Sequence, residues 1–149
     1  MTILVATFEG ICADRRVTGG AGYIFPSHVK ILRGDGMVAG FCGSNTDCAK
    51  AMRAVQDGET DVQVLAGLCD GLVVNKAGRW ELSEKLAAKA PKRIPFLTNG
   101  SGWSEAQSFL VGAGKHDPET VKRAVKYVAS VRYDCGDGVN WLSLDVKAK

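Results

Sequence analysis

From the N-terminus, Ile3, Leu4, Val5, Ala6 and Phe8 make an apolar run that stops at Glu9-Gly10 and resumes over Ile11 to Asp14. Two β-rich runs around a turn signal predict a hairpin with strands over 2–8 and 11–14. Arg15 to Gly22 is Gly-rich and reads as a loop. Residues 28–33 alternate well enough for a third strand, Gly34-Asp35-Gly36 supplies a turn, and Met37 to Cys42 reads as a fourth strand.

A helical period follows. Ser44 or Asn45 is suited to cap a helix that puts Cys48, Ala49, Met52 and Val55 on one face and stops at Gly58. A short second helix is expected over Asp61 to Leu68. Leu72 to Asn75 and Arg79 to Leu82 flank Lys76-Ala77-Gly78 as another hairpin, and Ile94 to Leu97 adds a strand before Asn99-Gly100-Ser101-Gly102. Ser104 to Ala113 places Ala106, Phe109, Leu110 and Ala113 on one stripe. Asp117-Pro118 has the form of an N-cap followed by proline in the first turn, and Val121, Ala124, Val125 and Val128 follow at the spacing of a buried face. Val139 to Val146 closes the chain as a strand.

Strands grouped with strands, then helices with helices, argue against a parallel βαβ sheet and for an α+β fold of antiparallel sheets covered by helices. Two sheets between two helical layers would bury every apolar face. The pattern alone fits other α+β layouts as well. With 149 residues and no repeat or linker, one domain spanning 1–149 is expected.

Composition narrows the function. Apolar residues make up 46% and charged residues 23%, so disordered and fibrous classes are excluded. No apolar run approaches the ~20 residues of a membrane helix, and the first ten residues lack the basic and long apolar regions of a signal peptide. A net charge of +3, without a basic block, gives no footprint for nucleic acid. Lys122, Arg123 and Lys126 read as the wet face of a helix. The five cysteines Cys12, Cys42, Cys48, Cys69 and Cys135 contain no Cys-x-x-Cys pair, and only His28 and His116 accompany them. They read as buried free thiols in a reducing compartment, with the cytoplasm as the default and no metal or cofactor.

A family resemblance enters at Ala13-Asp14-Arg15-Arg16-Val17-Thr18, in the Gly-rich loop after it, and at Val29-Lys30-Ile31. With Thr2 near the start, this pattern resembles the proteasome β-subunits and HslV, N-terminal-nucleophile hydrolases with a terminal Thr, an Asp ending the second strand and a Lys on the third. The 16-residue interval from Asp14 to Lys30 matches without a gap. Ala39-Gly40-Phe41-Cys42-Gly43, with Asp47 four residues on, resembles the strand end before the first helix. Gly100-Ser101-Gly102 resembles a later Gly-Ser-Gly segment, and Arg132-Tyr133-Asp134 with Gly136-Asp137-Gly138 resembles the C-terminal Asp-x-x-Ser-Gly segment. Two departures stand out: Asp137 occupies the place of a family Ser, and the stretch from Ser44 to Leu68 is shorter than the paired long helices of proteasome subunits.

The resemblance implies an αββα four-layer sandwich, a homo-oligomeric ring, and hydrolysis of peptide or unfolded-protein substrates, with an AAA+ unfoldase as the partner that HslV implies. It assigns Thr2 as nucleophile, Asp14 and Lys30 as the charged pair beside it, Gly43 as oxyanion donor, and Ser101 and Asp134 as groups orienting the terminal amine. It places Thr18 against substrate backbone and Val17, His28, Leu32, Phe41, Asn45 and Ala49 around the first specificity pocket, a set that suits an uncharged side chain. The chemistry requires these types: a Thr hydroxyl needs a base, and a free α-amine, with a pKa of about 7.7–8.0, can serve once Met1 is removed. Other readings of the same residues remain open. Asp14 and Lys30 also fit a surface ion pair, Gly43 a helix-start glycine, Ser101 and Asp134 turn and cap residues, and Cys42 a core thiol. The whole chain also fits a silent scaffold that keeps Met1, or an N-terminal-nucleophile amidohydrolase acting on a small amide.

Overall fold

The computed structural model describes residues 2–18, 24–25, 29–132, 135–136 and 138–144. The first run forms strand β1 (Ile3–Ala6) and pairs antiparallel with β2 (Gly10–Asp14), with Leu4 opposite Ala13. The expected third and fourth strands are β5 (Ile31–Gly34) and β6 (Met37–Cys42). Between them and β2, Val17–Thr18 (β3), inside the stretch that reads as a loop, pairs with Ile24–Phe25 (β4) as a small ribbon.

Helix α1 (Asn45–Gln56) begins where expected, because the Ser44 hydroxyl accepts from Asp47 N at 3.1 Å and satisfies an end donor. Asp61 caps α2 (Val62–Leu68) in the same way, through Gln63 N at 2.9 Å. Strands β7 (Asp70–Asn75) and β8 (Gly78–Ser83) form the hairpin at Lys76-Ala77, which the Asn75 carboxamide oxygen closes by accepting from Ala77 N and Gly78 N.

The structure departs from the sequence expectations at several further points. Leu86–Lys89 forms an additional edge strand, β9, whose Leu-Ala-Ala-Lys sequence carries little β signal. It joins β8 through Glu84 and Lys85, both at positive φ (51° and 65°), the backbone that a two-residue hairpin demands and that residue types rarely advertise outside glycine and asparagine. The strand expected at Ile94 begins later, as β10 (Leu97–Gly100), because Ile94 N closes a turn onto Pro91 O and Pro95 has no N–H to give a ladder. On α1 the buried residues are Ala51 and Val55, with Cys48 and Met52 partly buried and Ala49 exposed, so the apolar face is rotated from the expected stripe.

Helices α3 (Trp103–Ala113) and α4 (Pro118–Val131) follow, the second with Asp117 as N-cap and Pro118 in its first turn. Ala113, expected on the α3 stripe, is exposed. The final strand, β11 (Val139–Ser143), pairs with β2, and Val146 lies outside the described residues.

The strands make one sheet in the order β10-β1-β2-β11 and another in the order β5-β6-β7-β8-β9. Alternation along each strand divides the core into three layers. Ile3, Val5 and Cys12 face α3 and α4, packing on Ala106, Leu110, Val121, Ala124, Val125 and Val128. Leu4, Ala6, Ile11 and Ala13 face the second sheet through Ile31, Val38, Leu72 and Val74. Met37, Ala39, Phe41, Val73 and Leu82 face α1 and α2. This is the αββα sandwich, and it explains why β1 and β6 read as unbroken apolar runs: both of their faces are covered. Among the described residues no helix is long and apolar enough to cross a membrane.

Leu110 is fully buried beneath the outer layer while its neighbour Val111 is 68% exposed. Leu110→Ala is expected to lower unfolding free energy by about 2–5 kcal/mol, and Val111→Ala to stay within about 0.5 kcal/mol, as read by urea denaturation.

Candidate functional site

The site is built around the carboxylate of Asp14, the last residue of β2. Its Oδ1 accepts from Lys30 Nζ at 2.7 Å and from Ile3 N at 3.1 Å, and its Oδ2 accepts from Gly136 N at 2.9 Å. Asp14 is 0% exposed and Lys30 4% exposed, so the surface-pair reading is excluded. A buried carboxylate needs this density of donors, since an unpaired charge in the interior is prohibitively costly. Lys30 sits just before β5, and its carbonyl accepts from Phe41 N at 3.2 Å. The pair therefore joins the β2 end of one sheet to the β5 start of the other.

Thr2 immediately precedes β1. Strand alternation puts it on the face of Leu4 and Ala6, toward the second sheet. Its carbonyl accepts from Ser101 Oγ at 3.3 Å. Gly100 lies opposite Ile3 with φ at 95°, and a Cβ there would fall 2.0 Å from the Thr2 oxygen, so only glycine permits this approach. Thr2, Asp14, Lys30 and Ser101 are thus brought together, with Ile3 N as the link.

Gly43 directly follows β6 with φ at 131°, again a backbone for glycine, and is exposed just ahead of the Ser44 cap. It is tied to the Thr2 side through a route the sequence reading missed. Cys42 Sγ donates to Asn99 Oδ1 at 3.2 Å, and that oxygen also accepts from Gly100 N at 2.6 Å. Asn99 Nδ2 reaches Gly71 O at 3.4 Å. Burial pushes the Cys42 thiol up to about 12, with Asp70 adding to the shift, so it serves as a protonated donor and not as a nucleophile. Gly136, which supplies the third bond to Asp14, was also missed as a ligand. Its only signal was its place in the Gly-Asp-Gly segment. Asn99 carried a clearer one, a polar side chain directly ahead of Gly-Ser-Gly.

The remaining expected residues are distributed differently. Asn45 and Ala49 are exposed on the first two turns of α1. Leu32 is half-buried against the cluster beneath that helix. Phe41 is 2% exposed inside the same cluster, so here it is a core side chain. Val17 and Thr18 form β3. His28, Asp134 and Asp137 lie outside the described residues. A cleft of about 720 Å³ between Phe96, Asn99, Trp103 and His116 includes none of the expected catalytic residues.

No protein-family model matches the chain, and no curated protein matches it by sequence. Solved structures do match. HslV from Trypanosoma brucei superposes with a TM-score of 0.70 at 18% identity, over 96% of this chain and 98% of that one. BPH from Thiobacillus denitrificans in complex with epoxomicin gives 0.73 at 16% identity, over 99% of both chains. BPH alone gives 0.72 at 16% identity, again over 99% of both. The chain therefore shares the αββα sandwich fold of these proteins over nearly its whole length.

Removing one member of the buried pair tests its structural weight. Asp14→Ala removes the counter-charge of a buried ammonium and an acceptor of two backbone N–H groups, and a loss of about 3–5 kcal/mol in unfolding free energy is expected, measured by urea denaturation.

Proposed function

We propose that the chain is a threonine-type peptidase in which Thr2, freed of Met1, is the terminal nucleophile. The observation that carries this reading is the convergence on one buried carboxylate of the Lys30 ammonium and the N–H of Ile3, the residue next to Thr2. That geometry keeps a fixed positive charge beside the start of β1, where the chemistry needs it. The shared fold of HslV and of BPH, the latter in complex with epoxomicin, supports the same reading.

In the proposed reaction the α-amine of Thr2 takes the proton from its own Oγ as that oxygen attacks the substrate carbonyl carbon. The Lys30 ammonium stabilises the developing anionic character of Oγ, and Asp14 holds Lys30 in place without leaving the interior. The tetrahedral oxyanion is received by the Gly43 N–H, a donor worth roughly 2.7–4 kcal/mol in such sites. Collapse breaks the C–N bond, and the leaving amine takes the proton from the α-ammonium. Water, deprotonated by the same amine, then attacks the acyl carbon, the C–Oγ bond breaks, and Oγ takes the proton back from the α-ammonium. Ser101 and Asp134 orient the amine, while Val17, Thr18, His28, Leu32, Asn45 and Ala49 surround the substrate.

The same reading makes the substrates peptides or unfolded chains, the assembly a homo-oligomeric ring of single-domain subunits in the cytoplasm, and an AAA+ unfoldase a fitting partner. A retained Met1 would turn the α-amine into an amide and remove the base, so an intact mass lower by one methionine is expected of active protein. With a panel of fluorogenic peptides, Met1-free wild type is expected to turn over. Thr2→Ala is expected to fall to background, and Lys30→Met to drop by about 10²-fold or more, each checked for folding by its thermal melt. Undiminished turnover by folded Thr2→Ala protein would refute the assignment.

A further inference from the structure

Beneath Gly43 lies a group of thiols that the proposed reaction does not use. Cys48, in the first turns of α1, and Cys69, the C-cap of α2, have their Sγ atoms 3.7 Å apart. Cys69 Sγ also lies 3.2 Å from Cys42 O, to which it donates. All five cysteines are free thiols, and Cys48 is only half-buried. Cys69 is 6% exposed but lines a cavity of about 250 Å³ with Cys42, Gly43 and Asp47, which gives a small oxidant a way in.

We propose that Cys48 and Cys69 are a dithiol pair that oxidises to a disulfide, a covalent modification site that joins α1 to α2 directly under Gly43. The contact is in place: a disulfide needs an S–S separation of about 2.05 Å, so the two sulfurs close by about 1.7 Å, within the reach of side-chain rotation. The roles of the two sulfurs differ. Cys48 is half-buried and open to an oxidant, whereas Cys69 is 6% exposed and its one thiol hydrogen is given to Cys42 O. Cys48 is the attacking thiolate and Cys69 the resolving thiol.

With hydrogen peroxide as oxidant, the Cys48 thiolate attacks one peroxide oxygen. The O–O bond breaks, hydroxide leaves, and Cys48 becomes a sulfenic acid. The Cys69 sulfur then attacks the Cys48 sulfur, the S–O bond breaks, and the displaced hydroxide takes the Cys69 proton. Two thiols and one peroxide thus give one disulfide and two waters, with two electrons passing from sulfur to oxygen.

Oxidation has a consequence for the neighbouring peptide. Cys42 O and Gly43 N belong to one peptide plane, and the Cys69 thiol hydrogen is what bonds that plane from below. The disulfide removes this hydrogen, and the Gly43 N–H loses a support. Formation of the bond is independent of the peptidase reading; only its effect on turnover rests on that reading.

The full-length chain, reduced and then titrated with hydrogen peroxide, tests the pair. The expected product is lighter by two mass units, has lost two of its five thiols, and returns to the starting mass with dithiothreitol. Because Cys42 and Cys48 share a tryptic peptide, fragmentation is needed to place the link, and it is expected at Cys48–Cys69. Cys48→Ser, a half-exposed change that spares folding, is expected to give no such product. Oxygen addition at Cys48 without a link, or a link that persists in Cys48→Ser protein, would overturn the proposal. In the same samples a several-fold, dithiothreitol-reversible fall in peptide turnover is expected, absent from Cys48→Ser. A disulfide that forms in a chain with no turnover in either state would leave the pair standing and sink the peptidase reading alone.

Discussion

A single buried carboxylate organises one end of this molecule. Asp14 has no solvent exposure, and burying its charge is tolerable only because three donors meet it: the Lys30 ammonium and the backbone N–H groups of Ile3 and Gly136. Those donors come from the start of β1, the approach to β5 and the segment before β11. One acceptor thereby fixes three chain segments from both sheets. The constraint works in both directions, because Lys30 is 4% exposed and also needs its counter-charge in place.

The rest of the candidate site hangs from this arrangement. With Ile3 held by Asp14, the carbonyl of Thr2 meets Ser101, and the close approach of Gly100 leaves no room for a side chain between them. Asn99 carries the connection onward to Cys42 and so to Gly43, at the mouth of α1. The network runs from the proposed nucleophile to the proposed oxyanion donor through side chains and backbone alone. Its polar groups are paired with one another at the open end of an otherwise apolar interlayer of Leu4, Ala6, Ile31 and Val38.

Much of this was legible in the residue order. The hairpin of β1 and β2, strand β6, the cap of α1, and the Asp117-Pro118 start of α4 follow from local chemistry, and the structure reproduces them. The Asp14–Lys30 interval pointed to a contact that the structure makes at 2.7 Å. What escaped depends on long-range packing. Strand β9 has the residues of a helix and is a strand only because β8 offers an edge. The facing of Ala49 and Ala51 is decided by what lies beneath α1, and helical spacing alone does not phase it. Both faces of β6 are covered, so Phe41 is buried at either parity, and its place in the layer under α1 and α2 becomes known only when both sheets are in place. Asn99 and Gly136 are neighbours of Cys42 and Asp14 in space alone, 57 and 122 residues away along the chain.

The proposed reaction requires the start of the chain to present an amine and a hydroxyl on one residue, beside a fixed ammonium, to a peptide carbonyl. A peptide epoxyketone reports on this directly, because it captures both nucleophiles of a terminal residue in one ring. After incubation with Met1-free protein and mass mapping, the account predicts one adduct per chain, on Thr2, and none on Thr2→Ala. An unmodified Thr2 after prolonged exposure, or an adduct confined to another residue, would contradict it.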